Sequence, residues 1–309
     1  MRIVCMGAGG LGGYFGGLLA ADGGDVAFVA RGRHLAAMRA DGLVIERDGG
    51  RPAVHVPKPV ATDDPASLGR ADLILVNVKL WDTAAAIDAI RPLVGPNTCL
   101  LSLQNGVTKD DMLAEAFGRD RLFGGVAYVA TTIARPGVIA QTGPMQRLLF
   151  GAYAPAGEAV AQAFLAAALK AGIDAAIPPD IRVAIWQKFV FLTGLSSLTA
   201  SVRTPIGPIR ENPLARAFLA DVFAEVVAVG RALGVALPED EAASAMTRAD
   251  TVPPTMTASL AHDLAAGNRL EVPWLAGGVV ALGASAGVPT PCCRAVNAIL
   301  APHAMGRVA

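Results

Sequence analysis

Arg2-Ile3-Val4-Cys5-Met6-Gly7-Ala8-Gly9-Gly10-Leu11-Gly12 opens the chain, and its reading decides the fold. The first five residues are a short, mostly apolar run that stops at a glycine, the pattern of a strand buried on both faces. Gly7-x-Gly9-x-x-Gly12 follows at once, and residues 11–21 are compatible with a helix. A G-x-G-x-x-G between strand and helix is a phosphate-binding turn. The first glycine permits the tight turn, the second lets backbone approach a pyrophosphate, and the third lets the helix pack closely on its strand. The start of the helix adds free N–H groups and a partial positive charge. Gly7, Ala8, Gly9, Gly10, Leu11 and Gly12 are therefore the expected dinucleotide-binding turn. Small residues serving only close helix packing are the competing reading, which the strand on each side disfavours.

Working outward, a second strand is expected over residues 25–30, ending in Phe28-Val29-Ala30-Arg31. A site selective for NAD places Asp or Glu here to hold the ribose 2′-hydroxyl. Ala30 and Arg31 stand there instead, and a guanidinium binds a 2′-phosphate through paired hydrogen bonds, so NADPH/NADP is the expected cofactor. Arg33 is either a second contact or part of a solvated basic loop. Further strands are expected over residues 73–78 and 99–103, with helices over 34–41 and 81–93. This alternation predicts a parallel, doubly wound sheet of Rossmann type. Lys79 and Asn105 each follow a strand-like run, which puts them at the crevice where such sheets bind ligands. Residues 122–153 read as extra, partly antiparallel strands, 158–171 as a helix, and 173–177 as a closing strand.

Pro178-Pro179-Asp180 forms the clearest boundary, because paired prolines disfavour helix before them and Asp180 can cap a helix that starts after them. The expected domains are 1–178, α/β and cofactor-binding, and 179–309, all-α and carrying the catalytic groups, with the active site between them. Helices are expected over residues 181–202, 213–233, 257–266 and 273–286, with a last one after Pro291.

The 309 residues suit two domains, and 53% hydrophobic against 17% charged residues supports sizeable cores. A net charge of +0 without runs of Lys or Arg argues against nucleic acid and anionic membrane surfaces as partners. The glycines near the N-terminus suit a turn better than a signal peptide, and the apolar stretch 274–288 is shorter than the ~18 residues of a spanning helix. Cys5, Cys99, Cys292 and Cys293 have neither redox-pair nor zinc spacing and read as inert thiols of a cytoplasmic protein. His34, His55, His262 and His303 are scattered, so no metal is expected, and no hydrolase nucleophile motif is present.

Lys188, in Ile185-Trp186-Gln187-Lys188-Phe189, lies one to two turns into the first helix after the boundary, among apolar residues. Lysine is seldom buried in such a setting without a partner, although a surface lysine snorkelling over apolar neighbours gives the same pattern. Together with the glycine turn and Arg31, Val78-Lys79-Leu80-Trp81, Gln104-Asn105-Gly106-Val107, Trp186-Gln187-Lys188, and Ser259 followed by Glu271, it resembles the ketopantoate reductase (2-dehydropantoate 2-reductase) family across almost the whole chain. The resemblance implies NADPH-dependent reduction of 2-dehydropantoate to (R)-pantoate, as in pantothenate biosynthesis. It casts Lys188 as general acid to the substrate carbonyl oxygen and as a substrate contact. Glu271 is cast as the second catalytic residue, which orients Lys188, cofactor or substrate. Ser259 would bond the substrate carboxylate, and Lys79 and Asn105 would contact the nicotinamide half of the cofactor. Taken alone, Glu271 and Ser259 also suit ordinary helix starts. The chain departs from the family at Leu192, Ser196 and Ile206, where amides are usual. Ser196 is kept as a substrate contact, and the departure bears on which small 2-oxo acid is the partner. Another 2-oxo acid as substrate, or NADPH sensing without turnover, are the competing readings, and a homodimer is compatible with either.

Overall fold

The computed structural model describes residues 1–307. The chain divides into two compact units, one of Met1–Asn105 with Lys109–Ile181, the other of Gly106–Thr108 with the chain from Arg182 onward.

The first unit contains, in order, β1 (Arg2–Met6), α1 (Gly10–Ala21), β2 (Asp25–Val29), α2 (Gly32–Asp41), β3 (Leu43–Arg47), β4 (Val54–Val56), β5 (Val60–Thr62), β6 (Leu73–Val76), α3 (Thr83–Ile90), β7 (Cys99–Ser102), α4 (Lys109–Phe117), β8 (Leu122–Arg135), β9 (Val138–Ala152), α5 (Glu158–Lys170) and β10 (Asp174–Ala176). All ten strands join one sheet, ordered β4-β3-β9-β8-β7-β6-β1-β2-β5, with β10 on β9. Six of them, β5-β2-β1-β6-β7-β8, are mutually parallel. Numbered along the chain these six run 3-2-1-4-5-6, the order of a dinucleotide-binding sheet, which reverses direction between β1 and β6.

The central strands are apolar throughout because both faces are covered. Ile3 and Cys5 of β1 enter one core, with Val26, Phe28, Leu73 and Leu75. Val4 and Met6 enter the other, with Ala27, Val29, Ile74 and Val76. Successive side chains on a strand point to opposite faces, so a continuous run fills two layers at once. α1 lies very close to the sheet: a Cβ added at Gly16 would sit 2.5 Å from Cys5 Sγ.

The unit is of Rossmann type as expected from the sequence, with differences at its margins. β3, β4 and β5 were not anticipated. β4 and β5 have three residues each and are separated by prolines, too short for a period to show. β8 and β9 form a long antiparallel hairpin, and β9 also runs parallel to β3 and β10. The helix expected over 81–93 is α only from Thr83 to Ile90, with single 3₁₀ turns on either side. α4 was hidden because two of its three buried residues, Lys109 and Asp110, are charged. Lys109 is 1% exposed and donates to Ser102 O at 2.9 Å and Asp110 Oδ1 at 2.8 Å. Tyr153 donates to the other oxygen of Asp110 at 2.6 Å.

The second unit contains α6 (Ile181–Val202), α7 (Ile206–Glu211), α8 (Pro213–Ala232), α9 (Glu241–Thr251), α10 (Ser259–Ala266), α11 (Ala276–Ala286) and α12 (Pro291–Leu300), and no strand among the described residues. α6, with 22 residues, is long and apolar enough to cross a bilayer, yet 72% of its most apolar window is buried inside the protein, as in a core helix. Its Trp186, Phe189 and Val190 pack with Val222, Phe223 and Val226 of α8. Asn212 caps α8 by accepting from the N–H groups of Leu214 and Ala215, ahead of Pro213 at the first helical position.

Candidate active site

The glycine turn ends β1 at the point where the sheet reverses. Gly7 has φ +97°, which a side chain would strain, and its N–H and that of Ala8 both reach Val29 O, at 3.2 and 3.0 Å. A Cβ on Gly12 would lie 2.0 Å from Gly7 O, so the turn closes only with glycine there. A Cβ added at Gly9 would meet nothing within 4 Å, and no side chain caps the start of α1. An open approach, a helix N-terminus without a capping side chain and a backbone held from behind together fit a bound pyrophosphate. Arg31 follows β2, exposed and extended, at the N-cap of α2. Among the described residues no carboxylate pairs with it.

On the other side of the reversal, Asn77 follows β6. Its Nδ2 lies 3.0 Å from where a Gly12 Cβ would be, and its Oδ1 is buried without a partner. Lys79 is exposed, with its ammonium 5.5 Å from the centre of the Trp81 ring. Asn105 is half-buried and follows Gln104, which ties two loops together. Gln104 donates to Val78 O at 2.9 Å and Thr83 Oγ1 at 2.8 Å, and accepts from Ser102 Oγ at 2.9 Å. The first unit thus brings together the glycine turn, Asn77, and the loops that carry Lys79 and Asn105.

His34 was not singled out from sequence as part of the site. Gly137 N–H donates to its Nδ1 at 3.1 Å, which leaves the ring proton on Nε2 to donate to Ala8 O at 2.9 Å. Burial holds this imidazole below its ordinary value, outweighing the bond to Ala8, which acts in the opposite direction. Gly137 lies 103 residues away, so only its closeness to Arg31 could have flagged His34 in the sequence.

In the helical unit, Lys188 is half-buried on α6, with Leu192 and Ser196 one and two turns further along the same face. Ser196 is 1% exposed and its hydroxyl has no partner, and the same holds for the buried hydroxyl of Thr193. A buried hydroxyl left unpaired costs free energy unless a ligand meets it. Glu271 is buried at 8% exposure and opens the short turn Val272–Trp274, while Ser259 is exposed at the first position of α10. Ile206, expected near the substrate, packs in the helical core at 1% exposure. Trp186 and Gln187, which precede Lys188 in the motif, hold the helix. Trp186 packs edge-on against Phe189, and Gln187 donates to the buried Glu241 at 2.7 Å. Among the described residues no group of three His, Cys, Asp or Glu is placed to hold a metal ion.

Strand order and glycine turn make the first unit one of the dinucleotide-binding class. Residues 3–155 match the family model described as ketopantoate reductase PanE/ApbA, and residues 180–304 match that of its C-terminal part. The chain belongs to the ketopantoate reductase PanE/ApbA family, an oxidoreductase family that works with a nicotinamide cofactor. It is 32% identical to the 2-dehydropantoate 2-reductase of Halobacterium salinarum, over 95% of this chain and 96% of that one. The crystal structure of 2-dehydropantoate 2-reductase from Geobacter metallireducens GS-15 superposes with a TM-score of 0.90 at 29% identity, covering 98% of this chain and 99% of that one. D-mandelate dehydrogenase with NADH and anilino(oxo)acetate superposes with a TM-score of 0.88 over 98% of both chains, but at 19% identity this is a likeness of fold alone.

Proposed function

We propose that this chain is a cytoplasmic NADPH-dependent reductase that converts 2-dehydropantoate to (R)-pantoate, with Lys188 as its general acid. The observation that carries the reading is one face of α6, on which a half-buried lysine precedes, by two turns, a buried hydroxyl without a protein partner. Family membership supplies the reaction class. The reduced nicotinamide, when bound, supplies hydride to the carbonyl carbon. The residues of this chain do the rest. The first-turn N–H groups of α1 hold the pyrophosphate, and Arg31 pairs with the 2′-phosphate. Lys188 meets the negative charge that develops on the carbonyl oxygen and delivers its Nζ proton there, which leaves a hydroxyl. Glu271 orients Lys188, Ser259 donates to the substrate carboxylate, and Ser196 meets a polar group of the substrate. Four free thiols, without a disulfide among the described residues, suit a reducing compartment.

Leu192 favours a second reading. It sets an apolar side chain one turn after Lys188, where a substrate hydroxyl would find no partner, and an unpaired polar group costs about 1–3 kcal/mol. A 2-oxo acid with an apolar side chain is then the preferred substrate. NADPH consumption against a panel of 2-oxo acids separates the two readings. 2-Dehydropantoate well ahead of all others supports the first, and a branched apolar acid ahead of it supports the second. In either case Lys188→Ala is expected to lower turnover by ~10²–10⁴-fold while NADPH affinity, measured by titration, stays nearly unchanged. Near-normal turnover removes Lys188 as the acid.

A further inference from the structure

The helical unit holds a cavity of about 570 Å³, walled by the end of α6, the turn after it, α10 and the tail beyond α12. Lys188, Ser196, Ser259 and Glu271 do not line it, and its size is that of a pocket for a small molecule. Arg203, Arg307, His262 and His303 face into it, and among the described residues no carboxylate does. A cavity lined with one sign of charge concentrates ligands of the opposite sign.

Both arginines are exposed, and the backbone fixes where each begins. Arg203 has φ +56°, the only positive value outside glycine among the described residues. An L side chain is crowded there by the following carbonyl, so glycine would sit more easily. Arg203 directly follows α6, where a left-handed residue ends the helix, and it lines the cavity from that point. Arg307 is seated rather than trailing. A Cβ added at Gly267 would lie 2.6 Å from Arg307 Cγ and 2.7 Å from its Nε, so the stem lies directly on that glycine. Arg307 N–H donates to Gly267 O at 2.9 Å, and Leu270 N–H holds the tail through Ala304 O at 2.9 Å. Neither guanidinium makes an ion pair or side-chain hydrogen bond among the described residues. Near them the cavity offers neutral polar groups as well, including Asn268 and Thr257, whose hydroxyl lies 2.9 Å from His262 Nε2.

We propose that this cavity binds a small polyanion, carrying either several carboxylates or a phosphate ester, gripped by Arg203 and Arg307. Planar guanidinium forks match both groups through paired hydrogen bonds. The site is distinct from the residues assigned to carbonyl reduction and stands whether or not that assignment holds.

Isothermal titration of the full-length protein with citrate and, separately, with pyrophosphate at constant ionic strength tests it. At least one probe is expected to bind with a submillimolar Kd, and which one binds identifies carboxylate or phosphate as the preferred group. Arg203→Gly and Arg307→Gln should each weaken that binding by about tenfold or more, the size of a lost charge-assisted contact. Arg203→Gly relieves backbone strain, and Arg307→Gln keeps a stem on Gly267, so neither loss is attributable to unfolding. No binding of either probe at millimolar concentration overturns the proposal. So does binding that both variants leave unchanged, the result expected if the glycine turn of the other unit were the anion's only seat.

Discussion

Arg31 follows its strand without an acidic neighbour, so its guanidinium is available to a 2′-phosphate. Arg31→Ala is expected to weaken NADPH binding about tenfold or more, the size of a lost charge-assisted contact, and NADH binding little. Equal losses in titrations with the two cofactors would show that it does not read the phosphate. His34 carries a different expectation. Its Nδ1 accepts from Gly137 N–H only while the ring is neutral, and its value in the folded protein lies below the ordinary 6.5. The unfolded chain therefore takes up the proton first. The stability that His34 contributes is complete above about pH 6.5 and fades as pH falls through its lower folded value. Urea midpoints of the wild type should drop more between pH 7.5 and 5.5 than those of His34→Gln, and parallel slopes would contradict this. The placement of Arg31, exposed just after β2, was legible because it follows from its neighbours in the chain. The role of His34 was not, because both its partners are backbone atoms brought to it by folding.

At the scale of elements, α12 begins at Pro291 without a side-chain cap of its own. Glu225, on α8, supplies one: its two oxygens accept from the N–H groups of Cys292 and Cys293, at 2.6 and 2.8 Å. Burial, with this carboxylate adding to it, pushes the Cys292 thiol up to about 11, so the vicinal pair is chemically quiet. Removing an N-terminal cap and its favourable charge costs about 1–2 kcal/mol. Glu225→Ala should lower the denaturation midpoint accordingly, and Glu225→Gln, which keeps an acceptor, should lower it less. An unchanged midpoint for Glu225→Ala would mean that water caps the helix equally well. The long helices α6 and α8 were visible as runs of apolar residues at helical spacing. α4 was not, since Lys109 and Asp110 satisfy each other inside the protein and look solvated in the sequence.

At the scale of the molecule, the proposed chemistry needs groups from both units, the glycine turn and Arg31 from one, Lys188 and Glu271 from the other. A fragment ending near Asp180, at the proposed boundary Pro178-Pro179, should bind dinucleotide and catalyse no reduction. Turnover by such a folded fragment would remove the helical unit from the reaction. By itself the sequence determined the local rules: where glycine is obligatory and which runs fill both faces of a sheet. Those depend on a residue and its near neighbours in the chain. Only the tertiary structure decided that three-residue strands extend the sheet and that His34 braces the turn. It also decided that the hydroxyl of Ser196 is left without a partner and that Arg203 and Arg307 line a common cavity. His34 with Gly137, and Arg203 with Arg307, join groups about a hundred residues apart, and such a pairing leaves no period or motif to read.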